Sequence, residues 1–370
     1  MRCSFIGKGH VGLALCSILG GCESLTAPPS TGLTQATLRQ DEYDLPVSWL
    51  PDRDEIVFLT SNELNPTRVR QVSIIRPTDG DRRAISTTLP SGYTIAKGWL
   101  TVTKRFAYFV AYSGGDSWLY RVPLAGSGQT ERVAPHLGTQ HFPSPDDRLL
   151  AWTESGAIAI RDLITGAERR YAAPVWNSSA STSAYWDSTG RFVAFIDAFG
   201  VAWLDLDSGQ VGAWTPTEQD QLSDAELSSR VIVWAGDEPV LYAVRRQRIS
   251  RYYLMERRWE DLATVESSAV DASWSSDAGA FAYWTGKCIH THKAIDSDAQ
   301  VCDRSEHQLT ILDWTSQARK RVALLELADG PWSAFITAAS FAPSGRSVAF
   351  TVDQRGCSYA AGNGLYVRNR

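Results

Sequence analysis

Four residues in the last third of the chain have the types and spacing of a metal-ligand set: Cys288, His290, His292 and, further on, His307. Positions 288, 290 and 292 alternate, so on a β-strand their side chains share one side. Thiolate sulfur and neutral imidazole together suit zinc or copper. Cys302 and Cys357 are further candidates for the same set, although the step from Cys302 to His307 matches no zinc-finger spacing. The same cysteines also have a plainer chemistry. Cys288 and Cys302 flank Ile289–Val301, the longest insertion in the chain, and a disulfide across that span is the expected use of two thiols in an oxidising compartment. Closing such a loop contributes about 3 kcal/mol on chain-entropy grounds. Cys357 is the alternative partner for either cysteine.

Residues for nucleophilic catalysis are harder to find. The sequence contains neither a Gly-x-Ser-x-Gly elbow nor a His-Glu-x-x-His helix. His136 and His141 border a strand-like segment, where packing explains a histidine without chemistry. No regular set of acids marks a cation-binding channel. No catalytic residue is assigned, and no cofactor is expected beyond the metal considered above.

The N-terminus offers two chemistries. Gly7-Lys8-Gly9-His10-Val11-Gly12 has the form G-x-G-x-x-G and resembles the opening of nucleotide-sugar dehydrogenases. A dinucleotide site also needs a second strand carrying an acid about 20 residues on. That region reads Thr26-Ala27-Pro28-Pro29-Ser30-Thr31-Gly32, which does not form a buried parallel strand. The alternative is export. Arg2 and Lys8 supply positive charge, Val11–Leu19 forms a short apolar core, and Leu19-Gly20-Gly21-Cys22 resembles a lipoprotein signal-peptidase box. That resemblance implies a signal peptide over 1–21, lipidation of Cys22 and a flexible tether over 22–33. It also implies a periplasmic location with membrane attachment through the lipid. Glu23 stands where an Asp would signal inner-membrane retention, which favours the outer membrane and leaves the inner one open.

Composition narrows the partners. A formal net charge of −5 argues against nucleic acid, which requires a basic face. No later stretch approaches the roughly 18 apolar residues of a membrane span. Fourteen Trp against two Met favour strands, where flat rings pack on a pleated surface.

The elements that must position these residues announce themselves by repetition. An aromatic residue recurs before a turn at Trp49, Trp99, Phe142, Trp186, Trp234, Trp274 and Phe341. A second follows after 8 to 10 residues, at Phe58, Tyr108, Trp152, Phe195, Tyr242, Tyr283 and Phe350. Between them lie turn formers such as Pro145-Asp146-Asp147 and Asp187-Ser188-Thr189-Gly190. Alternating apolar strands follow, then a turn such as Thr165-Gly166, then a short fourth strand. Four short antiparallel strands per unit at this period describe propeller blades. The expectation is an all-β, seven-bladed β-propeller of four-stranded blades over 34–370, with blades starting near 46, 95, 139, 182, 229, 270 and 337. The last unit lacks its outer strand, so residues 34–40 are expected to supply it and close the ring, because an open edge invites aggregation.

Phe142-Pro143-Ser144-Pro145-Asp146-Asp147-Arg148-Leu149-Leu150-Ala151-Trp152 and Asp162-Leu163-Ile164-Thr165-Gly166 resemble the repeat of the TolB-type (WD40-like) propeller family. The resemblance covers about 46–370, and its motif residues make turns and core, so it implies fold and not activity. TolB itself carries an α/β domain before its propeller, whereas only a short tether precedes the first unit here, so TolB's roles do not transfer.

The function expected is a non-catalytic protein-binding or assembly subunit whose partner is another envelope or membrane protein. The contact loop is placed at 289–301, with His290, His292, Lys293, Asp296 and Asp298, because long loops on rigid scaffolds carry binding. Two alternatives come from other classes. One is a secreted hydrolase or lyase using the central channel. The other is a carbohydrate or small-ligand binder using the off-repeat Trp118, Trp176, Trp259 and Trp332.

Overall fold

A computed structural model describes residues 33–35, 42–62, 69–354 with short interruptions (the longest at 174–182 and 216–226), and 364–369. All the elements described are strands, paired antiparallel. After β1 (Leu33–Gln35), the first sheet runs through β2 (Glu42–Trp49), β3 (Ile56–Asn62), β4 (Val69–Ile75), β5 (Arg82–Ile85), β6 (Thr94–Val102), β7 (Phe106–Ser113), β8 (Asp116–Pro123) and β9 (Glu131–Pro135). The second holds β10 (Phe142–Pro143), β11 (Leu149–Glu154), β12 (Ala157–Asp162) and β13 (Glu168–Ala172). The third holds β14 (Ser183–Trp186), β15 (Phe192–Asp197), β16 (Gly200–Asp205) and β17 (Val211–Trp214). The fourth holds β18 (Leu227–Ala235), β19 (Glu238–Arg245), β20 (Arg248–Tyr253) and β21 (Arg258–Thr264). The fifth holds β22 (Ala269–Trp274), β23 (Ala280–Lys293), β24 (Gln300–Asp313) and β25 (Ala318–Ala328). The last joins β26 (Ala334–Ile336), β27 (Ser340–Phe341), β28 (Ser347–Gln354) and β29 (Gly364–Asn369) to β1.

This is a β-propeller, but the expectation of seven blades is corrected: the strands form six sheets. The first two repeat units belong to one eight-stranded sheet. The cause is local. β5 pairs only with Val72–Ile75 of β4, which leaves the start of β4 without that neighbour. The nine-residue β6 reaches it, and Val69 pairs with Ile95. An irregularity between Ile95 and Leu100 then lets β6 turn onto β7.

Burial explains the strands. Central strands face a neighbouring sheet on both sides, so β11 and β12 are nearly continuous buried runs and do not alternate. Outer strands such as β13 are mostly exposed. Six of the seven second aromatics are buried: Phe58, Tyr108, Trp152, Phe195, Tyr283 and Phe350. They fill the clusters between sheets. Phe195 and Val193 meet Ala151 and Ile158 across the second and third sheets. Phe350 and Phe341 meet Trp284 and Ile311 across the fifth and last.

The turn motif has a recurring mechanical role. Ser144 Oγ accepts the Leu149 N–H at 2.9 Å, Asp187 accepts the Phe192 N–H at 2.7 Å, and Ser275 Oγ accepts the Ala280 N–H at 2.9 Å. In each case a side-chain oxygen holds the amide five residues on, pinning the first hairpin of the unit. At the second turn Asp162 Oδ1 accepts the Ile164 and Thr165 amides, both at 2.9 Å, and Gly166 follows at φ +74, where a side chain is strained.

The first aromatics bolt one sheet to the next. Trp186 Nε1 donates to the Phe142 carbonyl at 3.2 Å, and Trp234 Nε1 donates to the Tyr185 carbonyl at 3.0 Å. Trp49 Nε1 donates to the Ser340 carbonyl at 2.8 Å, spanning 291 positions of sequence. That bond closes the ring, together with a cluster of Trp49, Ile56, Phe58, Ala342, Ala349 and Val367. β1 pairs antiparallel with β29, Thr34 opposite Val367, and occupies the outer edge of the last sheet. It spans Leu33–Gln35, and residues 36–40 of the expected closing strand lie outside the described residues.

Candidate interaction arm

The segment expected to be a loop at 289–301 is instead the end of a long hairpin. β23 and β24 are 14 residues each, against six for β11 and β15. Residues 281–285 are buried on both faces, whereas Gly286–Thr291 are exposed on both faces. β23 therefore leaves the packed body at Gly286, whereas β24 stays partly covered as far as Ser305, and the eight residues to Lys293 extend the hairpin by roughly 26 Å. The pairing runs from Ala280 opposite Asp313 to Lys293 opposite Gln300, interrupted by two irregularities between Cys288 and Thr291. β25 supports the base of the arm, pairing as far as Arg304 opposite Ala328.

Cross-strand contacts stiffen this arm. Lys287 Nζ lies 2.8 Å from Glu306 Oε1 on the facing residue. The His307 ring covers Gly286, where a Cβ would stand 3.3 Å from the imidazole, so glycine permits the close approach. His307 Nε2 is 2.8 Å from Ser305 Oγ.

The candidate metal ligands do not sit as strict alternation requires. Register shifts between Cys288 and His290 and between His290 and Thr291 make bulges, and these break the one-sided row. His307 lies opposite Gly286, further down the arm than His290. Among the described residues no three His, Cys, Asp or Glu side chains gather around one point. The side chains of His292, Lys293 and Cys302 lie outside the described residues, as do Cys22, Asp296, Asp298 and Cys357 altogether. Cys288 Sγ is 3.1 Å from the His290 carbonyl oxygen. Cys288 stands opposite Ser305 and Cys302 opposite Thr291, so the two cysteines are not directly facing residues.

Other residues raised by the sequence have packing roles. His141 is buried, 5.3 Å from the Trp152 ring and 5.8 Å from His136. Burial holds the His136 imidazole below its ordinary pKa. Trp118 lies under the Arg132 guanidinium at 4.0 Å. Trp259 packs on Tyr252 at 4.7 Å, with Arg245 4.8 Å from its ring. Neither indole is an open platform for a sugar, and Trp176 and Trp332 lie outside the described residues. Arg245 and Arg248, from one basic run, converge on Asp261 at 3.2 and 2.6 Å. Burial alone would raise the Asp261 carboxyl, but hydrogen bonds from Ser250, Arg248 and Arg245 outweigh it and hold the carboxyl below the ordinary range. No helix among the described residues is long and apolar enough to cross a membrane.

One contact between repeat units had no sequence signal. Arg105 Nε lies 3.1 Å from Asp147 Oδ2, and the Tyr108 hydroxyl donates to Asp147 Oδ1 at 3.0 Å. Asp147 is buried and sits at φ +60, a position Asp tolerates better than most residues. The contact joins the first sheet to the second.

No protein-family profile matches the chain, and no curated protein sequence does. Solved structures similar to it in shape include the following three. A study of two prolyl endopeptidases contains a chain 10% identical, with a TM-score of 0.47, covering 87% of this chain and 56% of that one. This chain thus spans about half the length of that protein. A chain from the mitotic checkpoint complex is 14% identical over 98% of this chain and 99% of its own, with a TM-score of 0.49. The WD40 domain of SCAP from fission yeast is 12% identical over 91% and 97%, with a TM-score of 0.46. With identities this low and scores below 0.5, none of them bears on what this chain binds. The sheet topology itself carries the assignment: the chain is a β-propeller of antiparallel sheets, with a long hairpin arm on the fifth.

Proposed function

We propose that this protein is a non-catalytic binding or assembly subunit, and that the arm of β23 and β24 makes the contact with its partner. The arm carries this reading. A rigid ring needs no hairpin that runs on beyond its core, whereas a partner-binding element does. In this reading the repeats are of the TolB type, the chain is exported to the periplasm, and a lipid on Cys22 holds it to the outer membrane. The partner is another envelope or membrane protein, held close by the shared membrane. The N-terminal charge, apolar core and Leu19-Gly20-Gly21-Cys22 support the tether.

The register gives a clean test. Lys287 and Glu306 face each other, so residues 288–305 can be replaced by an Asn-Gly turn joining these two. The shortened protein is expected to fold with an unchanged circular dichroism spectrum and to lose its partner in detergent-solubilised pull-downs of the full chain. Unchanged recovery would reject the arm's role. In the same cells Cys22→Ala is expected to move the protein out of the membrane fraction, and continued sedimentation with membranes counts against the lipid.

A disulfide at Cys288 belongs to the same reading. Its partner in this reading is Cys302, on the facing strand of the arm, with Cys357 as the alternative. Peptide mapping without reduction is expected to show the 288–302 pair, and a 288–357 peptide would overturn the assignment.

A further inference from the structure

Away from the arm, two histidines bracket the connection between the first and second sheets: His136 follows β9 and His141 precedes β10. Their rings lie 5.8 Å apart, and the His141 ring is 5.3 Å from that of Trp152 on β11. His141 is 3% exposed, and His136 is partly covered. Trp152 belongs to the cluster that packs Tyr108, Val110, Leu119 and Ala134 of the first sheet against Leu150 and Ala159 of the second. The pair therefore sits at the seam where those two sheets meet.

The His136 backbone is fixed, because its N–H donates to the Ser117 carbonyl of β8 at 2.7 Å. Its side chain is not matched in the same way. Nδ1 is buried and has no hydrogen-bond partner. A neutral imidazole with its proton on Nε2 leaves Nδ1 bare, but an imidazolium carries N–H on both nitrogens. Protonation thus turns Nδ1 into a buried donor with nothing to receive it, which is costly. The acids on the strands packed here are engaged or turned to solvent. Asp116 is exposed at the tip of β8, Glu131 pairs with Arg121 at 2.7 Å, and Glu154 is held by Trp152 Nε1 at 2.9 Å and Arg170 at 3.0 Å. Burial raises the phenols of Tyr108 and Tyr120, so both stay neutral. Arg132, over Trp118, and His141 offer no negative charge.

We propose that this pair is an acid-sensitive latch, in which protonation of His136 loosens the seam between the first and second sheets. Burial alone acts on the His136 imidazole and holds it below its ordinary 6.5. Once the seam opens, the ring regains water and its ordinary affinity for a proton. The open form therefore takes up the proton first as pH falls. The latch is at full strength above about pH 6.5 and weakens progressively below it. A proton on one ring opposes a proton on the other at 5.8 Å, so the pair responds as a coupled unit. This device lies outside the binding role proposed for the arm and does not depend on it.

Hydrogen exchange of the full chain at pH 7.5 and 5.5, expressed as protection factors so that the intrinsic rates cancel, tests the latch. Protection in peptides from β9, β10 and β11 is expected to fall about threefold or more at the lower pH, the limit for one proton being about tenfold per pH unit. Peptides from β15 and β16 of the third sheet are expected to keep theirs. His136→Gln, which has no proton to gain, is expected to abolish the fall. If His136→Gln already lowers protection at the seam at pH 7.5, His136→Phe is read in its place with the same expectation. Unchanged protection in the natural chain, an equal fall in the variant read, or a fall of the same size in the third sheet overturns the proposal.

Discussion

Trp49→Ala is expected to destabilise the protein by about 3–5 kcal/mol, the range for truncating a buried large aromatic. Trp49 is 6% exposed and packs in the cluster that seals the last sheet against the first. Its indole N–H also holds the Ser340 carbonyl. Trp49→Phe separates the two contributions: the ring remains and the donor goes, so a cost of about 1 kcal/mol is expected. Urea unfolding followed by tryptophan-independent far-UV signal measures both. If Trp49→Ala costs no more than an exposed residue, the ring is not sealed at this seam.

The second large effect belongs to Asp147, whose carboxylate receives the Tyr108 hydroxyl and the Arg105 guanidinium. Asp147→Ala strands a buried phenol and is expected to cost about 2–3 kcal/mol. Tyr108→Phe on the same background should then cost much less than on the natural one, giving a coupling energy of about 1–2 kcal/mol in a double-mutant cycle. Simple additivity would remove the network from the account. The same tyrosine makes a pH prediction. Burial, and then the Asp147 charge, push the Tyr108 phenol well above its ordinary 10.0. The unfolded chain therefore releases this proton first as pH rises. Its contribution is complete below pH 10 and is lost progressively above it, because the unfolded state then holds fewer protons than the native one. Unfolding midpoints between pH 8 and 11 should fall, and should fall less steeply in Tyr108→Phe.

Much of the fold was legible because the burial period leaves a mark on residue types. Phe195 and Phe350 are fully buried where the spacing of aromatics placed core, and Ser144 and Asp187 hold the amides that their turn chemistry foretold. The number of sheets was not legible. It turns on the pairing of Val69 with Ile95, and backbone hydrogen bonds leave no signature in side-chain type. The arm was read as a loop for a related reason. Gly286-Lys287-Cys288-Ile289-His290-Thr291 has no hydrophobic alternation, since neither face meets a core, yet the strand continues because its neighbours continue.

The bond from Trp49 to Ser340 also says something about how such a ring is born. A ribosome delivers Trp49, Ile56 and Phe58 long before Ala349 and Val367 emerge to cover them. Throughout that interval the nascent chain carries an oily flank with no lid. Assembly of this protein is thus a race between the last residues synthesised and whatever else meets that flank first, and any shielding factor in the cell acts on the opening sheet.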